Sequence, residues 1–295
     1  MTNRLVLVLS LCGAVAYPAV ARADAPASGR ASVNGLEMYY EVSGPSTGTP
    51  LVLLHGGGST IDVTFGRVLP FFARHRRVIA VEEQAHGRTS DRNSPLRFES
   101  SADDIAALLK VLKVDRADLF GFSNGASVAL QVALRHPEAV RKLVFASSMT
   151  KKAGAYPQFW EFMKKADFAA MPQPLKDAFL EVNPDPAKLR TMHDKDLERM
   201  RHFTEVPDES LKTLAAPTLV LIGDKDIVTP EHAAELSRTI PRARLMILPG
   251  AHGEYLGELV MTPRATRMPE LTAGLIEEFL DAPAESAATP ALPSK

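Results

Sequence analysis

The stretch Gly121-Phe122-Ser123-Asn124-Gly125 constrains the fold of this chain more than any other, because of what stands on either side of it. Ala117-Asp118-Leu119-Phe120 reads as a short buried strand leading in, and Ala126 to Arg135, rich in Ala, Val and Leu, reads as a helix leading out. A G-x-S-x-G between strand and helix forces a sharp reversal at the serine. Glycines on either side let the two elements approach where a Cβ would collide, and the tight turn leaves the Ser123 hydroxyl exposed above a sheet. Such a turn presents a serine nucleophile.

The same alternation recurs along the chain. Leu51 to Leu54, Val78 to Val81, Leu143 to Ala146, Thr218 to Ile222 and Leu245 to Leu248 are apolar runs of strand length, with helical patterns between most of them. Ser101 to Lys113 is the clearest helix: Ser101 suits a cap, Asp104 completes a capping-box pattern, and Ile105, Leu108, Leu109 and Leu112 share one face. A second spans Pro269 to Leu280, and Val33-Asn34-Gly35-Leu36 marks a hairpin whose second strand is Met38 to Val42. The expected fold is α/β: a mostly parallel central sheet flanked by helices, with ligands gathered at the carboxyl ends of the strands.

From Ser147 to Ala216 the alternation stops. Prolines at 157, 172, 174, 184 and 186 divide a stretch containing Phe159, Trp160, Phe162, Met163, Phe168, Met171 and Phe179. It reads as a small helical cap, residues 147–216, inserted between core segments 31–146 and 217–281. Ordinary core packing fits the helical spacing of Phe159, Phe162 and Met163 equally well, but a roofed pocket would place these three against a substrate.

A serine is a weak nucleophile near neutral pH unless a histidine takes its proton and an acid orients that histidine. Both partners stand downstream, each just past an expected strand: Gly223-Asp224-Lys225-Asp226 and Pro249-Gly250-Ala251-His252-Gly253. Of the eight histidines, His252 alone follows the last strand in a glycine-rich loop. The chain order Ser123, acid, His252 is that of the α/β-hydrolases.

With these motifs the chain resembles the α/β-hydrolase fold superfamily, in the group of capped serine esterases and related hydrolases, over nearly all of residues 31–281. The resemblance implies Asp226 as the acid, at the last place of a Gly-x-x-Asp turn, with Asp224 as the fallback. It also implies that His55-Gly56-Gly57-Gly58-Ser59 is the oxyanion loop, with the N–H groups of Gly57 and Asn124 as donors and His55 structural. Val81 to Thr89 departs from the family pattern at Glu82, Gln84 and Ala85, so contacts near the pocket are expected to differ there. Glu254 and Glu258 are expected as solvated surface carboxylates.

The implied function is hydrolysis of a small or medium carboxylic ester or lactone through an acyl-enzyme. A carbon–carbon bond hydrolase and a cofactor-free perhydrolase use the same triad, and a hydrolase-derived ligand receptor is the alternative from another class. No cofactor or metal is expected. The partner is a small-molecule ester, not nucleic acid, since no basic footprint exists.

The first 23 residues read as an export signal, with Arg4, the apolar run Leu5 to Leu11 and the small-x-small site Ala21-Arg22-Ala23. Gly13 and Pro18 interrupt a stretch already too short to span a bilayer, so no stable membrane anchor is expected after cleavage, and the mature chain is expected to be periplasmic or secreted. Cleavage would remove the only cysteine, Cys12, together with Arg4 and Arg22 from the 34 basic side chains, leaving 32 against 35 acidic ones and a formal charge of −3. Asp24 to Arg30 reads as a linker, and the Ala-, Pro- and Ser-rich residues 282–295 as a disordered tail.

Overall fold

The computed structural model describes residues 26–262 and 264–283. In chain order its elements are β1 (Ala27–Val33), β2 (Leu36–Ser43), β3 (Leu51–Leu54), α1 (Ile61–Phe65), α2 (Leu69–Phe72), β4 (Val78–Val81), α3 (Phe98–Val111), β5 (Ala117–Phe122), α4 (Asn124–Arg135) and β6 (Val140–Ala146). There follow α5 (Pro157–Lys165), α6 (Gln173–Val182), α7 (Pro186–Arg201), α8 (Asp208–Lys212), β7 (Thr218–Lys225), α9 (Pro230–Thr239), β8 (Ala243–Ala251) and α10 (Met268–Asp281). The strands form one sheet in the order β1-β2-β4-β3-β5-β6-β7-β8. Pairing is antiparallel from β1 through β2 to β4 and parallel from β4 onward.

The central strands are apolar at nearly every position because helices cover both faces. In β3 the side chains divide by the two-residue period of a strand. Leu51 and Leu53 join Phe65, Phe72 and Ile276 under α1, α2 and α10, whereas Val52 and Leu54 join Ile105, Val128 and Leu236 under α3, α4 and α9. Each such buried Leu or Phe contributes roughly 1.5–3 kcal/mol relative to exposure. The sheet is therefore a rigid platform whose carboxyl edge carries the loops after β3, β5, β7 and β8.

Three sequence expectations need correction. The supposed linker Asp24 to Arg30 is strand from Ala27, because β1 pairs residue for residue with β2 from Ala27 opposite Val42 to Val33 opposite Leu36. The long helix begins at Phe98, not after Ser101: Phe98 packs against Phe203 in the core, and Ser101 is buried one turn inside. Asp104 makes no capping box. It takes a two-pronged hydrogen bond from Arg92 and one from Asn34 Nδ2, tying the hairpin turn to the helix. The leader at 1–23, residues 24 and 25 and the tail from 284 lie outside the described residues.

Between β6 and β7 the prolines start helices more than they break them. Pro157 and Pro186 open α5 and α7 at the first position, where a missing N–H costs nothing, and Pro172 and Pro174 flank the start of α6. Asp185 caps α7 by accepting from the N–H groups of Ala187 and Lys188. These helices have a small apolar centre of their own, Met171, Phe179, Leu189 and Met192, packed onto Ala85. Among the described residues no helix is long and apolar enough to cross a membrane.

Candidate active site

Ser123 is held at φ 55° and ψ −122°, a conformation a non-glycine residue adopts only when its surroundings impose it. The imposition comes from both flanks. A Cβ at Gly121 would stand 2.2 Å from the Gly125 carbonyl oxygen, and one at Gly125 would stand 2.1 Å from that of Leu54, so helix α4 closes on β5 only with glycine at 121 and on the end of β3 only with glycine at 125. The Ser123 N–H is bonded to the Ala146 carbonyl at 2.8 Å, which pins the turn to β6.

His252 arrives from the end of β8 and bridges two groups. Its Nε2 lies 3.1 Å from Ser123 Oγ and its Nδ1 lies 2.7 Å from Asp226 Oδ1. With Nδ1–H donating to the carboxylate, Nε2 is left to accept the serine proton. The ring also packs on Phe122, centroids 4.8 Å apart.

Asp226 sits just past a register shift between β7 and β8 at Gly223/Lys225, which turns it toward His252. Its Oδ1 accepts from the Ile227 N–H at 2.7 Å and its Oδ2 from the Gly223 N–H at 3.3 Å and from the Ser147 hydroxyl. Ser147 in turn meets the Tyr255 hydroxyl, fully buried beneath. Burial alone would raise the Asp226 carboxyl, but the His252 imidazole and these donors hold it below the ordinary carboxylate range. Burial pushes the Tyr255 phenol well up, so that ring stays protonated. Asp224 is spent elsewhere, accepting the Gly250 N–H at 2.7 Å.

A cavity of about 390 Å³ opens over Ser123 and His252. Gly57, Gly58 and Asn124 form one side and the segment between β6 and β7 forms the roof, where Phe159, Phe162 and Met163 stand with Met171, Leu175 and Met200. No residue of α5 is fully buried and Phe162 is 54% exposed; Phe159, Phe162 and Met163 reach the cavity, while Phe159, Trp160 and Met163 also pack against the main core, where the Trp160 ring meets Phe203. The Asn124 N–H, at the first position of α4, has no carbonyl in its own helix to bond. A wider hollow of about 620 Å³ beside residues 93–99 and α7 does not reach Ser123.

The side of the cavity formed by Gly57 and Asn124 rests on a buried charged group that the sequence did not disclose. Arg199 donates at 2.8 Å to Glu83 Oε2 and also to Asp196 Oδ1, which accepts at 3.1 Å from Asn124 Nδ2. Burial by itself would lift both carboxyls, yet Arg199 holds Glu83 and Asp196 below the ordinary range. Burial dominates at His86 and depresses its imidazole. Asp196 and Arg199 stand three apart on a helix whose sequence looks like a solvated surface, and nothing local pairs them with Glu83. His55 is structural: its Nδ1 lies 2.8 Å from the Gly56 carbonyl and its Nε2 accepts the Glu83 N–H at 3.2 Å.

The departures from the family pattern serve as braces. Glu82 is fully buried and takes both the backbone N–H and the guanidinium of Arg88, and Gln84 Nε2 donates to Asp91. Neither lines the cavity. Glu258 is corrected from solvated to buried: it accepts the N–H groups of Val260 and Met261, both at 2.9 Å, and burial raises its carboxyl. Glu254 is half-buried and accepts the Ala251 N–H at 2.9 Å, shaping the loop that carries His252. Among the described residues there is no group of three or more His, Cys, Asp or Glu placed to hold a metal ion.

The family model for the alpha/beta hydrolase fold matches residues 49–201, and the chain belongs to that family. It is 30% identical over 252 residues to the dihydrolipoyllysine-residue acetyltransferase component of acetoin cleaving system of Pseudomonas putida, a match covering 78% of this chain but only 65% of that one. To the 2-hydroxymuconate semialdehyde hydrolase of Pseudomonas sp. strain CF600 it is 28% identical over 229 residues, covering 68% of this chain and 78% of the relative. The enol-lactonase from Burkholderia xenovorans LB400 shares the fold with a TM-score of 0.66 at 20% identity, covering 86% of this chain and all of that one.

Proposed function

We propose that this member of the α/β hydrolase family is a serine hydrolase that cleaves a small or medium carboxylic ester or lactone through an acyl-enzyme. The observation that carries the reading is His252 standing within hydrogen-bonding reach of both Ser123 and Asp226 at the mouth of an apolar cavity. In the first step Ser123 Oγ attacks the ester carbonyl carbon as its proton passes to His252 Nε2, and Asp226 steadies the imidazolium through Nδ1–H. The carbonyl oxygen, now negative, accepts from the N–H groups of Gly57 and Asn124, each such donor stabilising the transition state by roughly 3 kcal/mol. Collapse expels the alkoxide, which takes the proton from His252. Water then attacks the acyl-enzyme, giving its proton to His252, and the acid leaves as Ser123 is reprotonated.

A carbon–carbon bond hydrolase is the second reading, favoured by the likeness to the semialdehyde hydrolase. Initial rates separate the two. Ser123-dependent turnover of butyrate esters or a small lactone, without turnover of a vinylogous diketone, supports the ester reading; the reverse pattern overturns it. Export is proposed from the leader-like residues 1–23. N-terminal sequencing of the chain recovered from its host tests this, with Asp24 as the expected first residue.

A further inference from the structure

One oxygen at the cavity wall lacks a donor. Asp196 is only 8% exposed, and its Oδ1 is engaged by Asn124 and Arg199, but Oδ2 accepts no hydrogen bond among the described residues. His86 Nε2 lies 4.0 Å from Oδ2 and is itself buried without a partner among the described residues. His86 Nδ1 lies 2.9 Å from the Gln84 carbonyl, so Nδ1 carries the proton and Nε2 presents a lone pair. Two acceptors thus face each other with no proton between them.

The place of Oδ2 relative to the reacting centre follows from Gly57. A Cβ there would stand 2.4 Å from Asp196 Oδ2 and 2.4 Å from Asn124 Nδ2, so the carboxylate reaches the oxyanion loop itself. Asp196 lines the same cavity as Ser123 and His252. The titratable and charged side chains around it are His193 and Arg199 on its own helix, Glu83 and His86 from the loop after β4, with the His55 ring against His86, and His252 across the cavity. One guanidinium answers two carboxylates. An excess negative charge beside a forming oxyanion works against it unless the substrate brings a compensating positive group.

From this geometry we infer that Asp196 Oδ2 is a subsite for an ammonium group carried close to the scissile carbonyl, so that the preferred substrates are amino-acid-like esters, and that carboxylate-bearing esters are turned away. The inference deepens the ester-hydrolase reading and rests on it for turnover, though not for binding. The ammonium would donate to Oδ2 and complete the charge of the Asp196, Arg199 and Glu83 group. A carboxylate at the same place would meet Oδ2 and His86 Nε2, both acceptors.

Three methyl esters of nearly equal size test this: β-alanine methyl ester, methyl butanoate and monomethyl malonate. Calorimetric binding to the Ser123→Ala protein reads the subsite without any reaction. The expected order is the β-alanine ester about 10-fold or more tighter than the butanoate, with the malonate weakest, and Asp196→Asn in the same background removing that preference. Equal binding of the three, or tightest binding of the butanoate or malonate, overturns the inference; that order is read with Asp196 intact, so it does not depend on whether the Asn variant folds. Turnover by the wild-type protein separates the two claims: tightest binding of the amine with no Ser123-dependent hydrolysis of any ester leaves the subsite standing and overturns the hydrolase reading.

Discussion

The floor and the roof of the cavity are built on opposite terms. At the floor, β5, β6 and β7 are buried along nearly their whole length, Ser123 and Asp226 are fixed by several backbone and side-chain bonds, and His252 is held between the two. At the roof, α5 has no buried residue and touches the cavity with Phe159, Phe162 and Met163. Rigid packing suits groups that must meet at hydrogen-bonding distance, whereas a loosely packed aromatic and methionine lining can accept several shapes of apolar chain. On the proposed reading, reactivity belongs to the sheet edge and selectivity to the roof, with Asp196 between them.

The largest expected effect falls on the floor. Asp226→Asn leaves the shape intact but favours the wrong tautomer of His252, and kcat is expected to fall by about 10⁴-fold. Steady-state ester hydrolysis beside a thermal melt checks it; a loss below tenfold in a folded variant means that Asp226 does not orient the base.

Stability should divide along the same line. Phe145→Ala, in the core beneath the site, is expected to cost about 3–5 kcal/mol. Phe162→Ala at the roof is expected to stay within about 0.5 kcal/mol while shifting KM for longer acyl chains. Denaturant unfolding reads the first number and a chain-length series reads the second. Equal costs at both places would erase the distinction.

The charged group between floor and roof gives a pH-dependent effect. Glu83, Asp196 and Asp226 all have carboxyls held below the ordinary range in the folded chain. Their contribution is complete above the unfolded value of about 4 and is lost as pH falls through the lower folded values. Arg199→Met removes what holds Glu83 and Asp196 down and is expected to cost about 3–5 kcal/mol near neutrality. In that variant the two buried carboxyls rise above their unfolded values, so stability is lost as pH climbs. Melts at several pH values should show a smaller deficit in mild acid than at neutral pH, and a deficit that grows toward acid would contradict the pairing.

The legible part of the molecule was the part with local signals. β3 and β4 match their apolar runs to the residue, and the stretches that hold Ser123, Asp226 and His252 announce themselves by glycine and by following a strand. The first half of β1 reads as linker because Ala27, Ser28, Gly29 and Arg30 have little strand character; their order comes from pairing with β2. The start of α3 was misplaced because Phe98 is recruited by a contact with Phe203, far along the chain. Above all, Asp196 and Arg199 read as a surface pair on a charged helix. Only the docking of α7 over the loop after β4 turns them into the buried wall of the cavity.

Intact-mass analysis after exposure to a fluorophosphonate probes the central claim most directly, because a phosphonylated serine forms only where a base has drawn off its proton. One adduct per chain is expected on the wild-type protein, mapped to Ser123 by peptide sequencing, with none on Ser123→Ala and sharply slowed labelling on His252→Ala. Labelling at another residue, or an unmodified wild-type chain, contradicts the account.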